Sequence, residues 1–216
     1  MLPVIQKRAQ SRGEEMANGI SHGLGVIIAI VATPFLIIQT LRTGDVGFVV
    51  GVSVFCVTIV LLYLSSTIYH FLHHGRGKRV FHILDHTSIF LLIAGSYTPF
   101  ALGVLKGWLG WTLFGTTWGI AAVGIVLKSV PGARHPILST TLYLFMGWII
   151  VFAVKPLIAL APMAAVWWLV SGGFFYTLGV VFFALDSCFK YSHFVWHIFV
   201  LAGTACHYIA VYSCVV

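Results

Sequence analysis

Two histidines four residues apart, His193 and His197 in Ser192-His193-Phe194-Val195-Trp196-His197, fall where the last apolar run of the chain begins. On a helix this spacing puts both imidazoles on one face, a turn apart, where they can reach a single metal ion. A third imidazole closes another apolar run in Ser65-Ser66-Thr67-Ile68-Tyr69-His70, where Ser66 and His70 share a face. Three neutral imidazoles from His70, His193 and His197 are enough to hold a zinc ion and leave one coordination position open to water, the pattern of catalytic rather than structural zinc. Zinc would lower the pKa of that water toward neutrality and polarise a substrate carbonyl. Asp85 could orient the water or accept its proton, and Ser66 could hydrogen-bond the water or an oxyanion in a supporting role. No separate base is evident that would make Ser66 a nucleophile.

Each residue also has a plainer reading. A histidine pair at i,i+4 could be hydrogen-bonding groups at the membrane interface. Asp85 could be the salt-bridge partner of Lys78 or Arg79, and Ser66 a small packing residue bonded back to its own helix. Glu15 and Asn18 could form a helix-start cap. His73, His74, His82 and His135 lie in basic loops and suit contact with solvent or headgroups. His86 is ambiguous, and His207 lies too far along the last run to join a site at its start.

The elements that must position these groups are membrane spans. Hydrophobic residues make up 60% of the chain and charged residues 8%, with a mean hydropathy of +1.02, whereas a soluble domain carries about 25% charged residues. The net charge of +7 does not indicate nucleic acid, because the basic residues sit between apolar runs, where they set orientation and meet anionic lipid. The four cysteines form no CxxC pair and imply neither a disulfide framework nor a redox centre. The segment before the first run lacks the form of a signal peptide, so that span is expected to be retained.

Seven spans are expected: Ile20 to Leu41, Val46 to Phe71, Ile83 to Leu105, Leu109 to Leu127, Pro136 to Val154, Met163 to Leu185 and Phe194 to Val216. The chain thus divides into an N-terminal segment 1–19 and a transmembrane domain 20–216, with a kink at Pro99. Nine of the twelve basic residues, from Lys7, Arg8 and Arg12 through Arg76, Lys78, Arg79, Lys128 and Arg134 to Lys190, fall on one side of this arrangement. The opposite loops hold Arg42, Lys106 and Lys155. The expected orientation therefore has the N-terminus in the cytoplasm and the C-terminus outside. The start of the first span, the end of the second and the starts of the third and seventh then share one level. Glu15, Asn18, His22, Ser66, His70, Asp85, His193 and His197 are expected to converge there.

The set Glu15-x-x-Asn18-x-x-x-His22, Ser66-x-x-x-His70, Leu84-Asp85-His86, Gly95-Ser96-Tyr97-Thr98-Pro99-Phe100 and Ser192-His193-x-x-x-His197 resembles the haemolysin III proteins of bacteria. These are a branch of the progestin and adipoQ receptor family, related to the adiponectin receptors and, more widely, to alkaline ceramidases. The resemblance implies an all-α bundle of seven transmembrane helices in the bacterial inner membrane, with zinc held by His70, His193 and His197 near the cytoplasmic face. It also implies that Asp85 and Ser66 stand beside the metal-bound water. The expected function is zinc-dependent hydrolysis of a lipid amide or ester, with membrane lipids as partners and an apolar cavity in the bundle above the metal. The alternative is a receptor-like regulator of membrane lipid composition or energetics. Pore formation is disfavoured because nothing resembles a secreted amphipathic toxin, and transport because no chain of polar residues is expected to cross the midplane.

Overall fold

A computed structural model describes residues 8–133 and 135–215. Lys7 and Arg134, two of the nine residues on the basic side, and Val216, the expected end of the seventh span, lie outside the described residues. Among the described residues there is no strand, and seven helices are long and apolar enough to cross a membrane. They are α1 (Arg12–Leu41), α2 (Val46–Phe71), α3 (Arg76–Leu105), α4 (Gly107–Ser129), α5 (Ile137–Leu160), α6 (Met163–Ala184) and α7 (Ser192–Tyr212). The protein is an all-α, multi-pass membrane protein.

Hydropathy locates the spans, but two helices begin well before their apolar runs. α1 starts at Arg12 rather than Ile20 and α3 at Arg76 rather than Ile83, and in these first turns Glu14, Glu15 and Lys78 have partners. The N–H of Glu14 donates to Ser11 Oγ at 3.4 Å while the Glu14 carboxylate accepts the Ser11 N–H at 2.9 Å, a reciprocal cap. Glu15, in the same turn, takes Lys78 from the first turn of α3. The helix-start cap is therefore built by Ser11 and Glu14, not by Glu15 and Asn18. At the far end α5 runs on past Val154, which places Lys155 in the helix rather than in a loop.

The expected break at Pro99 takes the form of a π-helical turn over Phe100–Leu105, closed by the Lys106 N–H on the Ala101 carbonyl at 3.2 Å. Gly51 lets α2 approach this break, since a Cβ there would stand 2.8 Å from Pro99 Cα. A second break, a 3₁₀ stretch over Ile149–Ala153 within α5, has its backbone met by Tyr97 of α3. The Tyr97 hydroxyl lies 2.8 Å from the Met146 and Gly147 carbonyl oxygens and accepts the Ile150 N–H at 3.1 Å. In lipid such freed groups need a protein partner, and this one fastens α3 to α5.

α2, α3 and α7 are the most buried of the seven, so the polar groups they carry face the interior. Gly25 brings α1 against both α2 and α7. A Cβ at this position would lie 2.7 Å from Leu201 and 3.0 Å from Tyr63. One turn earlier on the same face stands His22.

Asp45 caps α2 through the Phe48 N–H at 2.9 Å and pairs with Lys106 across the same end of the bundle. Replacing it in Asp45→Ala is expected to cost about 1 kcal/mol of unfolding free energy at neutral pH. Lys106 and the capping N–H hold the Asp45 carboxyl below its ordinary value. Its contribution is therefore complete above the unfolded-state pKa and is lost as the pH falls through the lower folded-state value. Thermal unfolding of the two proteins in detergent should differ at neutral pH and converge in strong acid.

Candidate metal centre

The chain enters α7 through Tyr191, whose φ of 60° turns the backbone sharply. Its N–H is accepted by Glu14 Oε1 at 2.9 Å. Glu14 is only 2% exposed, and its carboxylate is also gripped by both terminal nitrogens of Arg8 and by the Ser11 hydroxyl. This one carboxylate ties the start of α1 to the start of α7, and so sets where His193 and His197 enter the bundle. The sequence marks Glu14 as polar and interfacial but carries no sign of a contact 177 residues away.

His70 from α2 and His193 and His197 from α7 come together, with one ligand atom from each lying within 4.8 Å of the others. Their ring centroids are 5.4 Å apart for His70 and His193, 5.1 Å for His70 and His197, and 4.8 Å for His193 and His197. His70 and His197 are buried, and the His193 side chain is 11% exposed.

The far side of each ring faces an oriented group. His70 Nδ1 stands 2.7 Å from Glu15 Oε2, and Lys78 Nζ donates to the other oxygen at 2.8 Å. His197 Nδ1 is 3.2 Å from both the Asn18 carbonyl and the Ser21 hydroxyl. A carbonyl can only accept, so the hydrogen bond assigns the proton to Nδ1 and leaves the Nε2 lone pair free. His193 Nδ1 lies 3.5 Å from Asp186 Oδ2 without closing a hydrogen bond. The inward nitrogen of His70, Nε2, is buried and has no partner. Burying such a nitrogen unpaired costs about 1–3 kcal/mol, which an ion in that position would offset. Three imidazoles, with buried unpaired nitrogens at His70 Nε2 and His193 Nδ1 and with His70 and His197 turned by outer hydrogen-bond partners, fit a zinc-like ion.

Asp85 and Ser66 lie beside this group. Ser66 is fully buried, and its Oγ neighbours the Asp85 carboxylate without a closed hydrogen bond. Asp85 forms no ion pair with Lys78 or Arg79 among the described residues, since Lys78 is taken by Glu15. The His86 ring approaches it, with Nδ1 3.7 Å from Asp85 Oδ2. His22 stacks flat on His197, centroids 3.6 Å apart and planes 2° from parallel, with both ring nitrogens buried and unpartnered. It abuts the centre without being among the three rings that could share an ion. Asn18 reaches the centre through its backbone carbonyl, while its side-chain amide donates to Gln10. His73, His74, His82 and His135 are exposed, and the His86 ring donates from Nδ1 to the His82 carbonyl, one turn back, at 2.9 Å.

Ser21 and Asp186 carry no spacing signal toward the histidines they face. Ser21 lies on a helix whose lipid-facing residues surround it in sequence, and Asp186 stands in the loop before α7. A further polar group lies along α7 beyond the centre, where the Tyr176 and Thr204 hydroxyls meet at 2.8 Å and His207 packs on the Tyr176 ring. This group is short, and apolar Val200 separates it from His197 on α7.

A cavity of about 380 Å³ begins at Asp85, His193 and His197 and continues between apolar side chains of α3, α5, α6 and α7, such as Leu92, Val166 and Val200. α5 and α6 touch little along its length, and among its walls Val151 and Phe174 are 50 and 61% exposed. The cavity therefore opens sideways between these helices, toward the lipid-facing surface of the bundle.

Fold and site together define an integral membrane protein with a candidate three-histidine metal centre at one end of its helices. The family model for haemolysin-III related proteins matches residues 10–208. The chain is also 44% identical to the hemolysin-3 homolog of Bacillus subtilis (strain 168) over 94% of its own length and 92% of that protein's. It is 42% identical to hemolysin-3 of Bacillus cereus over 95 and 93% of the two chains. Similarity to the human monocyte to macrophage differentiation factor is 27% over 93 and 84%. No solved structure matches. This chain belongs to the haemolysin-III related family.

The outer carboxylate supplies a test of the centre. Glu15→Gln keeps the shape but removes the charge behind His70, and is expected to weaken zinc binding about 10- to 100-fold in a chelator competition on the purified protein. His193→Ala with His197→Ala should abolish binding. Unchanged affinity in Glu15→Gln would mean that Glu15 does not orient a ligand.

Proposed function

We propose that the protein is a zinc-dependent hydrolase of a lipid amide or ester. In this reading it lies in a bacterial inner membrane with its N-terminus and the centre at the cytoplasmic side. The observation that carries the proposal is the cavity, apolar along its length, open to lipid between α5 and α6, and ending on the histidines and Asp85. An acyl chain entering sideways would bring its carbonyl to that polar end.

His70, His193 and His197 would hold a divalent ion, which when bound would supply Lewis acidity at the substrate carbonyl and would favour deprotonation of water. The remaining work falls to the chain itself. Water attacks the carbonyl carbon, and Asp85 accepts the proton it loses and passes it to the leaving nitrogen or oxygen as the C–N or C–O bond breaks. The products are a carboxylic acid and an amine or alcohol. Ser66, with a hydroxyl free to donate, stabilises the oxyanion that forms at the carbonyl. The dry walls of the cavity exclude competing water and strengthen these interactions.

A second reading makes the same centre part of a lipid-responsive regulator. It is favoured by the names of the relatives, a hemolysin and a differentiation factor, neither of which names a hydrolase. Elemental analysis of the purified protein, followed by assay on lipid amides and esters, separates the two. Hydrolysis is expected with near-stoichiometric zinc. Asp85→Asn should retain the metal yet lose about 10²- to 10⁴-fold in rate. A zinc-loaded protein inert on all such lipids would sink the hydrolase, and a well-folded protein without metal would sink both readings.

A further inference from the structure

The chain holds five acidic side chains, and each is committed or buried away from the α2–α3 connection. Glu14 pairs with Arg8, Glu15 with His70 and Lys78, and Asp45 with Lys106 at the opposite end of the bundle. Asp85 is 7% exposed inside the site, and Asp186 lies against His193. At the start of α3, Lys78 is matched by Glu15, but two further basic residues have no such complement. Arg76 and Arg79 are exposed and form no ion pair among the described residues. They line an open groove of about 540 Å³ together with His74, Lys78, His82 and Tyr69. The protein itself leaves this groove strongly positive, so neutralising charge must come from outside.

We infer that this groove binds the phosphate of an anionic phospholipid headgroup. Two guanidinium groups offer the paired donors that match phosphate oxygens. Lys78 is already fixed, with Nζ on Glu15 Oε1 at 2.8 Å and 4.8 Å from the Tyr69 ring centroid, so it adds charge from a defined position. Gly75, which precedes α3, gives its first turn no side-chain cap, and the N–H groups there favour an anion in the same place. Val80 and Ile83 also line the groove, and Val80 is 47% exposed. Apolar side chains beside a cationic groove suit a ligand whose head is anionic and whose tails remain in the bilayer, and suit a free anion less well. The site is distinct from the histidine centre but touches it through Lys78, whose partner Glu15 also holds His70.

The test measures lipid retention by the purified protein in detergent, titrated with phosphatidylglycerol or phosphatidylcholine and read by native mass spectrometry. The native protein should retain phosphatidylglycerol preferentially, and Arg76→Gln with Arg79→Gln should reduce that preference by roughly thirtyfold. Arg76→Lys with Arg79→Lys, which preserves the charge, should lose less. Arg42→Gln, at the opposite end, should change nothing. A double glutamine variant that keeps the native preference overturns the inference, as does an equal loss in Arg42→Gln, which would indicate diffuse surface charge. If inorganic phosphate displaces phosphatidylglycerol at equal concentration, the groove is a free-anion site and the lipid assignment fails.

Discussion

A polar group buried in hydrocarbon must find its partner within the protein, because no water is there to supply one. Much of this structure follows from that constraint. The first turns of α1 and α3 are charged, yet they remain helical and packed because Glu14, Glu15 and Lys78 bind across helices rather than facing solvent. The same need joins Tyr97 to the broken stretch of α5. Several buried polar atoms nonetheless lack a partner, and those of His22, Ser66, His70 and His193 gather at the histidine cluster.

Glu15 connects the parts of that end of the bundle. One carboxylate oxygen faces His70 and the other takes Lys78, so the orientation of a candidate ligand depends on a residue of α1 and on the first turn of α3. Lys78 in turn lines the basic groove. The candidate metal centre, the helix packing and the basic groove are thus linked through two residues. Glu14 makes a parallel connection from α1 to the start of α7. At the opposite end, the ion pair among the described residues is that of half-buried Asp45 with exposed Lys106. The asymmetry of the molecule is largely this difference between its two ends.

Seven spans and their order were legible in the residues because a span of about 20 apolar residues has few alternative folds in a bilayer. The histidine pair of α7 was legible because i,i+4 spacing on a helix places side chains together whatever surrounds it. That His70 joins them followed from counting helices, since an even or odd number of crossings decides which ends share a level. The pairing of Asp85 with a basic neighbour did not follow, because Lys78 had a second acid within reach and the sequence cannot rank two partners on different helices.

What the sequence by itself determined is the class of the protein, the number of its spans and the residues able to hold a metal. These depend on hydrophobicity and local helical spacing, which act over a few turns. Only the tertiary structure decided that Glu15 stands behind His70, that Ser21 and the Asn18 carbonyl turn His197, that His22 stacks on the centre without joining it, and that the cavity opens between α5 and α6. Each depends on the rotation of one helix about its axis against another. That rotation is set by close approaches such as Gly25 against Leu201 and Tyr63, between residues remote in sequence.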